Sequence, residues 1–424
     1  LLLIIFVCSS LLAGYPVAFT LAGVSIIFAL ICSLFGVFDL NKFGNIPMRI
    51  FGLMINQTLL AVPLFVFMGV VLEKSGIAAK MLQDMAKVFA GTRGGLGISI
   101  VIVGALLAAS TGIVGATVVT MGLMSLPALL KEGYDKRFSS GLVAATGTLG
   151  QIIPPSIALV LLGDVMSTAY ASAQNMIAAE TSDFSPMKAV SVGDLFVGAL
   201  LPGLIICILF LIYTIFWNRN LHKSYVSASK VSLLYLLNTL MPPILLIFMV
   251  LGSIIFGIAT PTEAAGVGAI GSILICFYFK KFDIELIKEA SKKTALVTTM
   301  VFTILIGASI FSLVFREVGG DELINLVFEM LPGGKYSALF FVMIVIFLLG
   351  FILDFIEICY GFVPLIAPPL LMMGFDPVWL GIMLAINLQT SFLTPPFGFS
   401  LFYLRGVADK SIRTIEIYKG VIPF

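Results

Sequence analysis

Two apolar stretches of this 424-residue chain, each of helix length, contain a proline pair, and they repeat each other at a fixed distance. The first reads Thr148-Leu149-Gly150-Gln151-Ile152-Ile153-Pro154-Pro155. The second reads Gln389-Thr390-Ser391-Phe392-Leu393-Thr394-Pro395-Pro396, so Pro154 and Pro395 stand 241 residues apart. At the same offset Pro127 falls on Pro368, and Ser110-Thr111-Gly112-Ile113 falls on Phe351-Ile352-Leu353-Asp354. Duplicated hydrophobic halves, each with a helix interrupted near its middle, are the sequence mark of a secondary transporter. The pattern points to a carrier rather than an enzyme.

Hydrophobic residues make up 60% of the chain and charged residues only 11%, far from the composition of a soluble domain. Runs such as 16–36, 193–216 and 242–258 span or nearly span a hydrocarbon core of about 30 Å. In lipid each such segment must satisfy its own backbone hydrogen bonds, and no barrel-like alternation is present, so the class is an all-α polytopic membrane protein. All but five of the 24 Lys and Arg fall in segments 74–93, 131–137, 219–230, 280–293 and 405–419; the exceptions are Lys42, Arg49, Lys188, Arg316 and Lys335. The positive-inside rule puts those five segments in the cytoplasm. The segments 164–194 and 317–329, carrying Asp164, Glu180, Asp183, Asp194, Glu317, Asp321, Glu322 and Glu329, are then expected outside.

Several function classes drop out. The five cysteines are scattered singly, without metal-ligand or redox spacing, and behave as small buried hydrophobes. A single histidine, His222, excludes both a multi-histidine metal site and a Ser-His-Asp triad. No Gly-x4-Gly-Lys-Ser/Thr phosphate loop occurs, and no organic cofactor is expected. A net charge of +2 gives no reason to expect a nucleic-acid partner; the lipid bilayer is the partner that composition implies.

The organisation follows from hydropathy and charge. Residues 1–93 comprise apolar stretches hinged at Gly14-Tyr15-Pro16, a helix at 51–72 interrupted at Pro63, and an amphipathic interfacial segment 77–93. The region 94–164 opens with 94–130, which is free of charge but flanked by cytoplasmic Arg93 and Lys131. It must therefore enter and return, in two arms of about 25 Å each at 1.5 Å per residue. Its turn, Ser110-Thr111-Gly112, suits a tip buried in protein. A broken helix at 139–163 follows, with Asp164 at its outer end, then a periplasmic loop at 165–192. Scaffold helices occupy 193–293, and 294–335 opens the second half. The region 336–406 mirrors the first: a hairpin at 336–374 entering from outside, then a broken helix at 378–404. Segment 407–424 is cytoplasmic. Leu1 begins in mid-run and the chain turns apolar again at Phe424, so both ends are expected to be truncated. Hairpins entering from opposite faces describe inverted-topology repeats.

A proline pair removes two backbone donors and disfavours the α region for the residue before it. Carbonyls of the preceding turn are left for a ligand. Thr146, Thr148, Gly150 and Gln151 add hydroxyl or amide oxygens and room to approach. The matching set is Asn387, Gln389, Thr390, Ser391 and Thr394. Oxygen-only ligation suits a hard cation such as Na⁺; otherwise the prolines merely kink the helices. Asp354 and Glu357 are the only charges inside the second hairpin, and an intramembrane carboxylate is by default functional. Asp354, at the tip, is the candidate for cation coordination or for holding the tip, while Glu357 fits a structural hydrogen-bonding role equally well. Glu263 is expected as a helix N-terminal carboxylate. Hairpin tips also present N–H groups suited to a carboxylate substrate.

With these residues in view, the chain resembles the large membrane subunit of tripartite ATP-independent periplasmic (TRAP) transporters. The strings that carry the likeness are Val62 through Gly69, Gly133 through Phe138, Gly147 through Ser156, Gly257 through Ala265, and Asn387 through Gly398. They run from the first segments to the last. The resemblance implies a Na⁺-coupled importer of an organic acid in the bacterial inner membrane. It would work with a small TRAP membrane subunit and a periplasmic substrate-binding protein, by an elevator-like movement. By that analogy one Na⁺ site lies between Ser110–Gly112 and Thr148–Gly150, beside Pro154 and Pro155. The other lies between Leu353–Asp354 and Gln389–Thr394, beside Pro395 and Pro396. Many family members have a Ser-Gly-Ser-like first tip, which is Ser110-Thr111-Gly112 here. The loop 165–192 is longer than in the sialic-acid type, and together with the string Asn387 through Gly398 it resembles a subgroup associated with mannitol, chloroaromatic or 2-oxo-acid transport. Three alternatives stand beside this: a stand-alone Na⁺- or H⁺-coupled carboxylate carrier or antiporter, an intramembrane enzyme built on Asp164 and Asp354, and a passive channel.

Overall fold

A computed structural model describes residues 2–89, 92, 94–181, 189–218 and 233–424; the basic stretch 219–230 with His222, and Arg93, Asp183 and Lys188, lie outside them. Every regular element among the described residues is helical. Helices α1 (Leu2–Leu12) and α2 (Val17–Leu34) meet at the expected hinge, where Gly14 takes φ 88°. Next come α3 (Ile46–Met54), α4 (Ala61–Lys74) and α5 (Ile77–Val88). The interruption here is not at Pro63, which sits in the first turn of α4, where a missing N–H costs nothing. It falls at 55–57, where Asn56 Oδ1 accepts the Thr58 N–H at 2.9 Å. Helix α5 is amphipathic, but Ile77, Met81, Leu82 and Met85 are buried against protein rather than left for lipid.

The first hairpin is α6 (Gly95–Thr111) and α7 (Val114–Lys131), and the first broken helix is α8 (Lys136–Thr148) and α9 (Ile157–Thr181). Because α9 continues to Thr181, much of the expected loop 165–192 is helical, and Asp164 lies well inside the helix, not at its end. Its Ala, Ser and Thr content looks loop-like by polarity, but alanine is the best helix former. Helices α10 (Val192–Trp217), α11 (Leu233–Ile255) and α12 (Pro261–Tyr278) follow. Thr260 and Glu263 form a reciprocal capping box on α12, with the Thr260 N–H donated to Glu263 at 2.8 Å. Helix α13 (Ile284–Glu317) fuses the basic segment and the next crossing into 34 residues. Then come α14 (Gly320–Met330), the second hairpin α15 (Lys335–Leu349), α16 (Phe355–Gly361) and α17 (Val363–Met372), and the second broken helix α18 (Pro377–Leu393) and α19 (Phe399–Val407). Helix α20 (Thr414–Val421) is the last of the described helices. Seven of these helices are long and apolar enough to cross a membrane, or up to nine if each of two bent pairs is one span.

The chain divides into two compact units. One comprises Leu1–Leu60, Leu161–Leu195 and Val297–Leu388; the other comprises Ala61–Val160, Phe196–Leu296 and Gln389–Phe424. In the first, α14 and α15 pack on α17. In the second, α4 lies along α12, α6 and α7 pack on α8, and α8 runs against α20. Gly141 and Gly420 set that last approach: a Cβ on Gly141 would meet the Gly420 carbonyl, which is backbone and cannot swing away. Gly141→Ala is therefore expected to destabilise the second unit by about 1–3 kcal/mol. A detergent melting curve checks this, and an unchanged midpoint would mean the two helices can part freely.

Candidate functional site

In the second unit the first hairpin tip rests on the first helix break. Gly112 turns the chain at φ 61°, a left-handed conformation that glycine adopts without strain. Ile113, extended at φ −124°, then starts α7. The tip hydroxyls fold back on their own helix: Ser110 and Thr111 each donate to the Leu107 carbonyl at 2.9 Å, and Thr111 Oγ1 lies 2.7 Å from Thr117 Oγ1. Both are buried, as expected of a tip within protein. A Cβ on Gly112 would come within 2.9 Å of the Ile157 nitrogen, and one on Gly150 would lie 3.6 Å from the Ala108 carbonyl. The tip thus touches both ends of the break. Gly69 of α4 backs it from behind; a Cβ there would lie 2.7 Å from Thr111 Cα and 2.9 Å from the Ser110 carbonyl. The return arm is held by Thr120, which donates to Glu73 at 3.0 Å, while Lys293 pairs with Glu73 at 3.0 Å.

Helix α8 ends at Thr148, a single 3-10 turn covers Leu149–Gln151, and regular structure resumes at Ile157. The Ile152 and Ile153 N–H groups both return to the Leu149 carbonyl, at 3.1 and 2.9 Å. Ser156, just past the prolines, donates to the Gln151 carbonyl at 3.0 Å. The second break is closed in a related way. Ser400 donates across it to the Phe392 carbonyl at 2.7 Å, and Phe392 is the 241-offset counterpart of Gln151. The serines themselves do not align at that offset, so repeat matching does not find them. Tyr418 donates to the Pro396 carbonyl at 3.0 Å, and Thr394 to the Thr390 carbonyl at 2.8 Å. The Pro154–Pro155 and Pro395–Pro396 peptide bonds are both cis.

Gln389, grouped by sequence with the second tip, donates its amide to Thr148 Oγ1 at 3.4 Å. Thr148 and Gln389 are each other's counterparts at the 241 offset, so the two breaks meet at equivalent positions. Gln151 and Gln389 are both buried, and the side-chain carbonyl oxygens of both lack a hydrogen-bond partner among the described residues. Such oxygens are costly to bury unmet. Gln151 belongs to the first break and Gln389 meets that break at Thr148, so each brings it a neutral acceptor. The other side of the break is different: Ile153 and Pro154 line a cavity of about 640 Å³ with α6, α10 and α11, and its walls are almost wholly apolar.

The remaining candidates lie in the first unit. Asp354 caps α16: its carboxylate accepts the Phe355 N–H at 2.7 Å, and Glu357 accepts the Asp354 N–H at 2.8 Å. Both tip carboxylates thus carry a reciprocal capping duty, and Leu353 beside them is fully buried. Asn387 donates to the Met343 carbonyl of α15 at 2.8 Å, which fastens the hairpin's first arm. Sequence reasoning undervalued Asp164. Its two oxygens accept from Asn56 Nδ2 at 2.9 Å and from the Tyr360 hydroxyl at 3.0 Å. This joins the 55–57 break, α9 and α16 through one carboxylate. Among the described residues no group of three or more His, Cys, Asp or Glu could hold a metal ion.

Paired hairpins and broken helices in a multi-pass helical chain, with neutral oxygens at the breaks, define a membrane transport protein rather than an enzyme. Over residues 2–424 the chain matches the family described as "Tripartite ATP-independent periplasmic transporter, DctM component". It is 31% identical over 366 residues to the C4-dicarboxylate TRAP transporter large permease DctM of Rhodobacter capsulatus, covering 85% of this chain and 80% of that one. To the sialic acid TRAP transporter large permease SiaM of Vibrio cholerae it is 26% identical over 421 residues, covering 97% and 90%. The YdaH transporter of Alcanivorax borkumensis superposes with a TM-score of 0.59 at 13% identity, over 90% of this chain and 84% of that one, a likeness of fold. The chain belongs to the TRAP transporter large permease family.

Proposed function

We propose that this chain is the large permease of a Na⁺-coupled importer of an organic acid in the bacterial inner membrane. The observation that carries the reading is the meeting of hairpin tip 110–112, break 148–151 and Gln389, with the buried carboxamide oxygens of Gln151 and Gln389 unpaired among the described residues. Neutral oxygen donors suit a monovalent hard cation, whose charge would in turn help hold a carboxylate in a low-dielectric site. A small membrane subunit and a periplasmic binding protein complete the machine. Regions 94–164 and 336–406 carry the cargo past a scaffold drawn from 1–93 and 193–335. The substrates named for these relatives, C4-dicarboxylates and sialic acid, share a carboxylate, which is the substrate class proposed here.

The test is uptake of a labelled organic-acid panel into proteoliposomes. They would hold the full chain and its small subunit, with the binding protein outside and a Na⁺ gradient compared with K⁺. Uptake that requires both Na⁺ and the binding protein is expected. Equal uptake in K⁺ would remove the coupling ion. Na⁺-driven uptake that ignores the binding protein would make this a stand-alone carrier.

A further inference from the structure

The turn between α12 and α13 carries an unusual lysine. Lys280 has φ 56°, the one positive value at a non-glycine position among the described residues. Its N–H bonds the Phe277 carbonyl at 3.0 Å, and the Lys281 N–H bonds the Cys276 carbonyl at 2.8 Å. This is a Schellman ending, in which the left-handed position is ordinarily glycine because a Cβ there is strained. The chain keeps a lysine at a place that favours glycine, and such outliers gather where function requires them.

What surrounds Lys280 indicates its use. The carboxylates of the turn are engaged: Asp283 accepts the Glu285 N–H at 3.2 Å, Glu285 pairs with Lys288 at 3.5 Å, and Glu289 pairs with Lys74. Lys280 and Lys281 are exposed and have no acidic partner among the described residues. Along α12, Val267, Ile270, Leu274 and Phe277 are exposed at spacings of three and four. They form one apolar stripe that leads along the helix to the two lysines. Phe282 stacks on Phe277 at 3.9 Å and extends the stripe around the turn.

We propose that this turn is a binding site for an anionic phospholipid, with the headgroup on Lys280 and Lys281 and an acyl chain along the α12 stripe. Charge complementarity selects an anion, and the adjoining apolar stripe selects one that carries a hydrocarbon chain. Lysines at a bilayer surface attract anionic lipid at about fivefold in affinity each. The site does not depend on the transport reading above.

The experiment is native mass spectrometry of the detergent-solubilised full chain titrated with phosphatidylglycerol or phosphatidylcholine. Wild-type protein is expected to prefer phosphatidylglycerol. Lys280→Gly with Lys281→Gln should weaken that lipid about 20-fold and leave phosphatidylcholine unchanged. Lys280→Gly alone should melt at or above the wild-type temperature while losing about fivefold, which separates lost binding from lost folding. Phosphatidylglycerol binding that survives the double substitution would overturn the proposal. So would its displacement by millimolar inorganic phosphate, which marks a soluble-anion site, or loss of a copurifying protein instead of lipid.

Discussion

Proteoliposomes carrying Gly69→Ala are expected to lose at least about tenfold in organic-acid uptake, measured as in the proposed transport assay, while the protein still folds. The added Cβ would stand 2.7 Å from Thr111 Cα and 2.9 Å from the Ser110 carbonyl. Both are backbone atoms of the hairpin tip, so no side chain can rotate away; the tip or α4 must move by several tenths of an ångström. Overpacking of this kind costs about 1–3 kcal/mol, which a membrane helix bundle can survive. Function is less tolerant, because misplacing a positioned group by about 1 Å costs on the order of 100-fold where geometry is critical. Gly266→Ala on α12 is the control, since a Cβ there meets nothing within 4 Å. Wild-type uptake from Gly69→Ala would show that the tip need not seat on α4 during transport.

The sequence made the hairpins and breaks legible because lipid leaves few choices: an uncharged stretch flanked by like charges must return, and a repeat at one offset marks equivalent elements. It was less informative about what a proline does. Pro242-Pro243 lies inside the continuous helix α11 and Pro368-Pro369 inside α17, whereas Pro154-Pro155 and Pro395-Pro396 sit in true breaks. A proline pair therefore marks a break only where glycine and hydroxyl or amide side chains nearby can take over the freed backbone groups. Pro63 was misread for a related reason: at the start of a helix the absent N–H has no partner to lose. Glu263 was read correctly because a capping box is local, three residues apart. Contacts between distant segments were not legible at all. Nothing in the strings around Thr148 and Gln389 says that equivalent positions of two halves touch. Nor does hydropathy pair Asp164 with Asn56 and Tyr360.

That pairing carries the second large effect. Asp164→Leu is expected to lower the melting temperature markedly and reduce uptake to background. The substitution removes both acceptors at once and leaves the Asn56 amide and the Tyr360 hydroxyl without them. Each unmet donor in a part-buried place costs about 1–3 kcal/mol, a large fraction of a net stability of about 5–15 kcal/mol. The loss falls on geometry as well, since Asn56 also fixes the 55–57 break and Tyr360 belongs to the second hairpin. Tyr360→Phe should be the mildest change, because the carboxylate keeps Asn56, and Asp164→Asn should fall between, keeping one acceptor oxygen. If all three residues act as one node, Tyr360→Phe added to Asp164→Leu should cost little more than Asp164→Leu alone, since the hydroxyl has already lost its partner. Fully additive losses in melting temperature and uptake would mean that Asp164 and Tyr360 contribute separately, and the carboxylate would then no longer count as the junction of α9 with the hairpin.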